Sequence, residues 1–333
     1  VVGITMQIWP DGYGGLDREG SCCSLSAAED ARRVADRLGF PHFVLNFREV
    51  FQEKVIQDFV EEYLRGRTPN PCIRCNEFIK FAALLHKARA LEVDYVATGH
   101  YARVGFDPGR GRYTLRRGVD PRKDQSYTLY PIPQELLARI LMPLGEWRKE
   151  EVREKARRLG LRVANKPESQ EICFVPEGDY RRFLREYAGE RLRSGPILNL
   201  KGEVLGQHPG LAFFTVGQRR GLGLSWHEPL YVLALDPERN AVIVGPEEAL
   251  YRRRFLVAQV NYVSIPPQEE PFEAEVMVRY RMSPQPATVI PLGEDTVEVA
   301  FHRSQRAITP GQSAVFYRGD EVLGGGRIER VDL

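Results

Sequence analysis

The sequence predicts an α/β protein: a parallel-sheet domain, then a small central domain, then a C-terminal antiparallel β-barrel. Three observations predict it. The first third alternates short apolar strands with amphipathic helices, the rhythm of a parallel sheet with helices on its faces. From about Gly195 helical periodicity vanishes, and short apolar runs are separated by Gly, Pro and Asp. The runs after residue 250 are spaced like the strands of a small barrel. The division that follows is 1–142, 143–250 and 251–333.

Val1 to Met6 reads as a buried strand. Ser26 caps a helix with Glu29 completing a capping box. That helix buries Ala27, Ala31, Val34, Ala35 and Leu38, and Gly39 stops it. His42 to Phe47 is the next strand. A second helix sets Phe51, Val55, Phe59 and Tyr63 on one face and ends before Gly66. A third runs from about Asn76 to Leu91. Asp94 to Thr98 is a strand that runs into Gly99-His100. Ligands of parallel sheets sit at the carboxyl ends of strands, which is where Met6 and Gly99-His100 fall. Tyr101 to Arg117 reads as an edge hairpin turning at Asp107-Pro108-Gly109, and Trp147 to Leu159 as a charged helix ending at Gly160. Val257–Val263, Phe272–Tyr280, Ala287–Pro291, Thr296–Phe301, Ser313–Tyr317 and Glu321–Val331 read as barrel strands.

Composition narrows the function classes. Hydrophobic residues make up 43% and charged residues 28% of 333, which is ordinary for a globular chain. No apolar run reaches the roughly 18 residues that span a bilayer, so no membrane partner is expected. A net charge of +2 gives no argument for nucleic acid by itself. Five cysteines without an export signal speak against a disulfide framework and for a reduced, cytoplasmic setting. The chain opens inside an apolar stretch, Val1-Val2-Gly3-Ile4, so we expect a segment before it.

Thr68-Pro69-Asn70-Pro71-Cys72-Ile73-Arg74-Cys75-Asn76 is the most informative stretch. Two prolines fix the backbone, and CxxC opens a helix. The helix dipole and unpaired N–H groups lower a thiol's pKa there, and Arg74 adds positive charge. The other reading is half of a structural zinc site, which needs four ligands and usually a second CxxC. Cys173, between Ile172 and Phe174, reads as a small buried hydrophobe or, after the polar run 167–171, as a thiol on a loop. Paired with Cys75 it permits a two-thiol sulfur relay. Lys123-Asp124-Gln125-Ser126 reads as a polar turn. Thr215 to Gly223 is a basic, glycine-rich loop that suits phosphate or plain exposed charge. Arg279-Tyr280-Arg281 offers cationic and aromatic groups for RNA or for ordinary strand surface.

Taken together, these segments resemble the bacterial tRNA-specific 2-thiouridylase family, MnmA. The markers, in order, are Thr68-Pro69-Asn70-Pro71 with Cys75-Asn76, Ala97-Thr98-Gly99-His100-Tyr101, Lys123-Asp124-Gln125-Ser126-Tyr127, Glu168-Ser169-Gln170-Glu171-Ile172-Cys173-Phe174, Gly217 to Gly223, and Arg306-Ala307-Ile308-Thr309-Pro310-Gly311-Gln312. The resemblance implies a PP-loop, adenine nucleotide alpha hydrolase-like first domain that uses ATP with Mg2+. It implies thiolation of wobble uridine 34 in the tRNAs for Lys, Glu and Gln, through an adenylated base. Cys173 matches the cysteine that carries a persulfide, loaded by a sulfur-donor protein. Cys75 matches the cysteine that releases the sulfur through a transient Cys75–Cys173 disulfide. Met6 and Gly99 match ATP contacts, and Asn70, Pro71 and Cys72 the surroundings of the target base. His100, Lys123, Asp124, Gln125, Arg279, Tyr280 and Gln312 match tRNA contacts.

Two departures stand out. The family opens with a strand and a Ser-Gly-Gly-x-Asp-Ser-Ser phosphate loop; Gly14-Gly15-Leu16-Asp17 only echoes it. Many relatives carry Asp where Cys72 stands. Three thiols, Cys72, Cys75 and Cys173, then suit a [4Fe-4S] cluster with an open site. A catalytically silent RNA-binding relative is the remaining alternative.

Overall fold

The computed structural model describes residues 1–8, 25–90, 92–166, 172–175 and 178–332. The Gly14–Asp17 echo, Cys22, Cys23 and the run Glu168 to Glu171 lie outside them.

Strand β1 (Gly3–Gln7) pairs in parallel with β2 (His42–Asn46), Gly3 opposite His42 and Gln7 opposite Asn46. Helix α1 (Leu25–Leu38) makes the crossover. It begins at Leu25, so Ser26 sits inside its first turn rather than capping it. Gly39 ends it at φ +75°, in the left-handed region glycine tolerates. Next, α2 (Arg48–Phe51), a π-helical stretch (Gln52–Gln57) and α3 (Asp58–Leu64) form one continuous run. Its Phe51, Val55, Phe59 and Tyr63 are all buried, as their spacing predicts.

The third helical run comprises α4 (Pro71–Arg74), a π-helical stretch (Cys75–Ala83) and α5 (Leu84–Ala90). It starts at Pro71, earlier than the apolar periodicity indicates. Asn70 supplies the reason: its side-chain oxygen accepts from Cys72 N at 3.2 Å, and proline fits the first turn because no N–H is needed there. Strand β3 (Val96–Ala97) pairs in parallel with β6 (Ile140–Leu141), the short α6 (Gln134–Leu137) preceding β6. Among the described residues the parallel strands of the first domain thus form two pairs rather than one sheet.

The hairpin β4 (Ala102–Asp107) and β5 (Arg112–Arg117) exists where expected but extends the barrel sheet. Asp107 fixes its turn by accepting from Gly109 N and Arg110 N. Helix α7 (Lys149–Arg158) buries none of its residues. Helix α8 (Tyr180–Ala188), capped by Asp179, buries Phe183 and Leu184. A four-stranded sheet follows in the order β8-β7-β10-β9, made of β7 (Gly195–Leu198), β8 (Val204–His208), β9 (Tyr231–Asp236) and β10 (Ala241–Gly245).

The barrel holds β11 (Tyr251–Tyr262), β12 (Phe272–Met277), β13 (Gln285–Pro291), β14 (Val297–Arg306), β15 (Ser313–Arg318) and β16 (Glu321–Arg330). Their order β11-β14-β13-β12-β15-β16 closes because β11 pairs with both β14 and β16. Closure removes the open edges that would template aggregation. Phe255, Val276, Val289, Val299, Phe301 and Phe316 fill the interior. A larger core runs from the helical runs through Phe174 and Phe183 to the central sheet. No described helix is long and apolar enough to cross a membrane.

Candidate active site

The site grows from the capped turn at Asn70. Capping aims the first turn of α4, leaving Cys72 exposed while Cys75, three residues on, is half-buried against the main core. Asn76 is buried, at 2% exposure, and donates to the Thr128 carbonyl at 3.0 Å and its hydroxyl at 3.1 Å. The cysteine turn is thereby fixed to the 123–128 segment.

That segment is itself braced. Asp124 accepts from Gly118 N, Ser126 N and the Ser126 hydroxyl at 3.1, 3.1 and 2.9 Å. Gln125 exchanges two hydrogen bonds with the Tyr101 backbone, each of 3.0 Å. Tyr101 follows His100, which is buried with its ring 5.6 Å from Phe81 and its Nδ1 2.9 Å from the Thr98 hydroxyl. Lys123 is half-buried and closes a turn onto the Asp120 carbonyl.

Two barrel loops reach the same place. Gln312 donates from Nε2 to the Thr68 carbonyl at 2.8 Å, and Thr68 N donates to the Pro310 carbonyl at 2.8 Å. Tyr280 donates from its hydroxyl to the Asp124 carbonyl at 3.2 Å, its ring 5.9 Å from Tyr127. Burial raises the Tyr280 phenol above its ordinary pKa; Arg281 opposes this, while Asp124 and the nearby Cys72 thiol reinforce it. Arg279 is exposed one residue before it. So Asn70, Pro71, Cys72, Cys75, Asp124, Tyr280 and Gln312 share one seam between the α/β part and the barrel. Gln312 and Tyr280 bond across that seam, while the side chains of Asn70, Asp124 and Gln125 brace the α/β loops that meet it.

Met6 is the penultimate residue of β1, and Gly99 follows β3. A Cβ at Gly99 would meet only Leu144 at 3.6 Å, an ordinary contact, so packing does not demand glycine there.

Cys173 is half-buried beside Phe174, whose ring lies 5.7 Å from Phe51, 5.2 Å from Phe59 and 5.3 Å from Phe183. The stretch carrying Cys75 packs against the same α2–α3 run. The segments carrying the two thiols therefore pack against one helical run and border one core.

Three sequence expectations need correction. Cys75 and Cys173 are free thiols, so a standing disulfide between them is not supported. A bridge requires oxidation, and sulfur exchange starts from thiols. Among the described residues no three Cys, His, Asp or Glu side chains gather as a metal site. With Cys72 exposed and Cys75 half-buried, neither the three-thiolate set for an iron–sulfur cluster nor a zinc site is assembled among the described residues. Arg74, expected to lend positive charge to the thiols, turns instead to Glu77 at 2.8 Å and Asp58 at 3.5 Å. Its acidic partners lie on two helical runs, Glu77 on its own and Asp58 on the one before, and the second is paired with Arg74 only once the fold brings residues 58 and 74 together.

Comparison with known families agrees with this architecture. Residues 1–177 match the tRNA methyl transferase HUP domain, 181–246 the tRNA methyl transferase PRC-barrel domain, and 252–328 the aminomethyltransferase beta-barrel domain. These define the class: a HUP-domain protein followed by PRC-barrel and β-barrel modules. Closely similar relatives are more specific. The tRNA-specific 2-thiouridylase MnmA of Pelotomaculum thermopropionicum is 57% identical over 99% of this chain and 90% of its own length. Those of Carboxydothermus hydrogenoformans and Clostridioides difficile are 54% and 48% identical, each over 99% of this chain and 91% of their own. The chain belongs to the tRNA-specific 2-thiouridylase (MnmA) family.

Proposed function

We propose that this chain is a tRNA-uridine 2-sulfurtransferase that activates a uridine with ATP and replaces its 2-oxygen with sulfur. The observation that supports the reading is that Phe174, next to Cys173, and the stretch carrying Cys75 both pack against the α2–α3 run, while the Thr68 turn before the cysteines is bonded to a barrel loop. Family membership supports the same chemistry.

Uracil's 2-oxygen is a poor leaving group. Its attack on the ATP α-phosphate expels pyrophosphate and turns it into AMP, a good one. The terminal sulfur of a Cys173 persulfide then attacks carbon 2, and AMP departs. Cys75 attacks the Cys173 sulfur, breaking its bond to the transferred sulfur, which stays on the base; the Cys75–Cys173 disulfide so formed is returned to two thiols by an external thiol reductant before Cys173 is reloaded. Met6 and Gly99 stand at strand ends suited to the nucleotide. Mg2+ accompanies ATP, ligated chiefly by phosphate oxygens and water. Asn70, Pro71 and Cys72 face the target base, taken out of its stack. His100, Lys123, Asp124, Gln125, Arg279, Tyr280 and Gln312 shape or contact the tRNA side of the seam. The substrate is uridine 34 of the tRNAs for Lys, Glu and Gln, a persulfide-carrying donor protein reloads Cys173, and the setting is the cytoplasm. The working division remains 1–142 for catalysis, 143–250 for the cysteine loop and 251–333 for tRNA.

The test is 2-thiouridine measured by mass spectrometry of digested tRNA. Cys173→Ser and Cys75→Ser each lower its formation by about a hundredfold or more, while tRNA affinity stays within about twofold. A Cys173→Ser protein that still makes 2-thiouridine overturns the assignment.

A further inference from the structure

A chain of buried charge leads away from the cysteine turn. The Arg74 guanidinium meets Glu77 at 2.8 Å and Asp58 at 3.5 Å. The other Asp58 oxygen takes Arg327 of β16 at 3.2 Å. Arg327 also holds Glu62 at 3.1 Å, and Glu62 holds Arg67 at 2.8 Å. Arg67 returns to β16 through Glu329 at 2.7 Å and the Ile328 carbonyl at 3.3 Å. Arg74, Arg67 and Arg327 are 17%, 15% and 15% exposed at their side chains, and Glu62 4%. Asp58, Arg74, Glu77, Gln259 and Arg327 line one hollow between the helical runs and the barrel.

This arrangement exceeds ordinary surface pairing. Exposed pairs contribute little and hold no geometry. Here the members are mostly enclosed, and each central one has at least two partners. The Arg67–Thr68 turn between the two helical runs is also seized by the barrel loop. Thr68 N meets the Pro310 carbonyl and Gln312 the Thr68 carbonyl, both at 2.8 Å. Gly311 approaches so closely that a Cβ would stand 2.8 Å from Thr68 N.

We infer that Asp58, Arg74 and Arg327 are positioning residues that make the barrel and the Cys75 turn one mechanical unit, so that RNA seated on the barrel sets where Cys75 stands. The inference rests on the sulfur-transfer reading above. Asp58 is the joint, because among the described residues it alone pairs with both the arginine of the CxxC turn and the arginine of β16. Misplacing a reacting group by a fraction of an ångström slows a reaction without weakening distant binding.

The experiment uses the full chain, its Cys173 preloaded as persulfide, in single turnovers at saturating ATP and tRNA. Arg327→Gln and Asp58→Asn are expected to slow sulfur transfer about tenfold, with tRNA affinity within about twofold. Arg327→Lys keeps a cation and restores most of the rate. If Asp58→Asn fails to fold, the contrast between Arg327→Gln and Arg327→Lys decides. The Arg74→Gln/Arg327→Gln double variant is expected to be no slower than the worse single one, since both act through Asp58. Asp320→Asn is the control: it breaks another pair between β4 and the barrel, Arg103 to Asp320 at 2.6 Å, and should leave the rate unchanged. Full rate in Arg327→Gln, or equal slowing by Asp320→Asn, overturns the inference. Cys75→Ser run alongside separates the failures. If it still makes 2-thiouridine, the functional reading falls. If it is inactive while Arg327→Gln is not slowed, only the positioning inference falls.

Discussion

Asn76 shows how a single buried amide orders a reactive turn. Its two hydrogen bonds to Thr128 join the helix that carries Cys75 to the segment that carries Asp124 and Gln125. Asn76→Ala would leave the Thr128 carbonyl without this donor in a closed space, at about 1–3 kcal/mol. Urea unfolding should show that loss as a lower midpoint with an unchanged slope. An unchanged midpoint would mean that water or a shifted side chain replaces the amide. At this scale the sequence was informative about identity and poor about partners. Cys75 stood out because CxxC after two prolines is a recognisable helix opening. Nothing in the chain order indicates that Gln312 reaches Thr68 or that Tyr280 reaches Asp124, because such contacts depend on how distant segments pack. Arg74 was misread for the same reason: a charge beside a thiol in sequence need not point at it.

Elements were legible where one face is buried and a stop signal is present. The Phe51, Val55, Phe59, Tyr63 face and Gly66 delimit a helical run correctly because burial follows a helical period. Period says nothing of hydrogen-bond spacing, so the π-helical stretches at Gln52–Gln57 and Cys75–Ala83 were invisible. A period of two likewise reveals strands β4 and β5 but not their neighbour. They join β16, Glu321 opposite Arg116 and Val322 opposite Leu115, and become part of the barrel sheet. Helix α8 was missed because its pattern is short and lies in a stretch dense with arginine. The loop Ala307 to Gln312 allows a sharper test. Gly311 has φ +88°, and a Cβ there would sit 2.8 Å from Thr68 N and 3.0 Å from Thr68 O. Gly311→Ala should cost about 1–3 kcal/mol through strain and push Thr68 off the barrel. Gly39→Ala is the comparison: φ is +75° but no atom lies within 4 Å of the added carbon, so it carries only the backbone term. Thermal melts giving Gly311→Ala no larger a loss than Gly39→Ala would show that the loop yields freely.

At the scale of the molecule, the α/β part and the barrel are joined by the shared sheet at β5–β16, by the loop contacts of Thr68 with Gln312 and of Asp124 with Tyr280, and by the buried charges around Asp58 and Glu62. The charges are not there for stability at neutral pH. Burial raises the pKa of Asp58, Glu62 and Glu77 above ordinary carboxylate values despite the arginines facing them. Arginines stay charged at any accessible pH, so the carboxylates decide the sign. A carboxyl with a raised folded pKa favours the folded state most when protonated. Its contribution is full below the ordinary value and is lost as pH rises through the raised one. Glu62 faces Arg65, Arg67, Arg327 and the like-charged Asp58. Glu62→Gln mimics its protonated form, and the arginines keep other partners: Arg67 has Glu329, and Arg327 has Asp58. The variant should therefore be at least as stable as the parent at about pH 8, and its advantage should shrink towards about pH 5. Asp30, Glu61 and Asp236 titrate in the opposite sense. Lys166, Arg191 and the Arg239 backbone N–H respectively lower their pKa values. Both proteins share those groups, so they cancel in the difference. Urea midpoints of parent and variant at the two pH values make the measurement. A variant that unfolds more easily at pH 8 would mean that the ion pairs outweigh burial and that the seam is held by charge for stability. The predicted order means that this seam spends stability to hold the cysteine turn in one place.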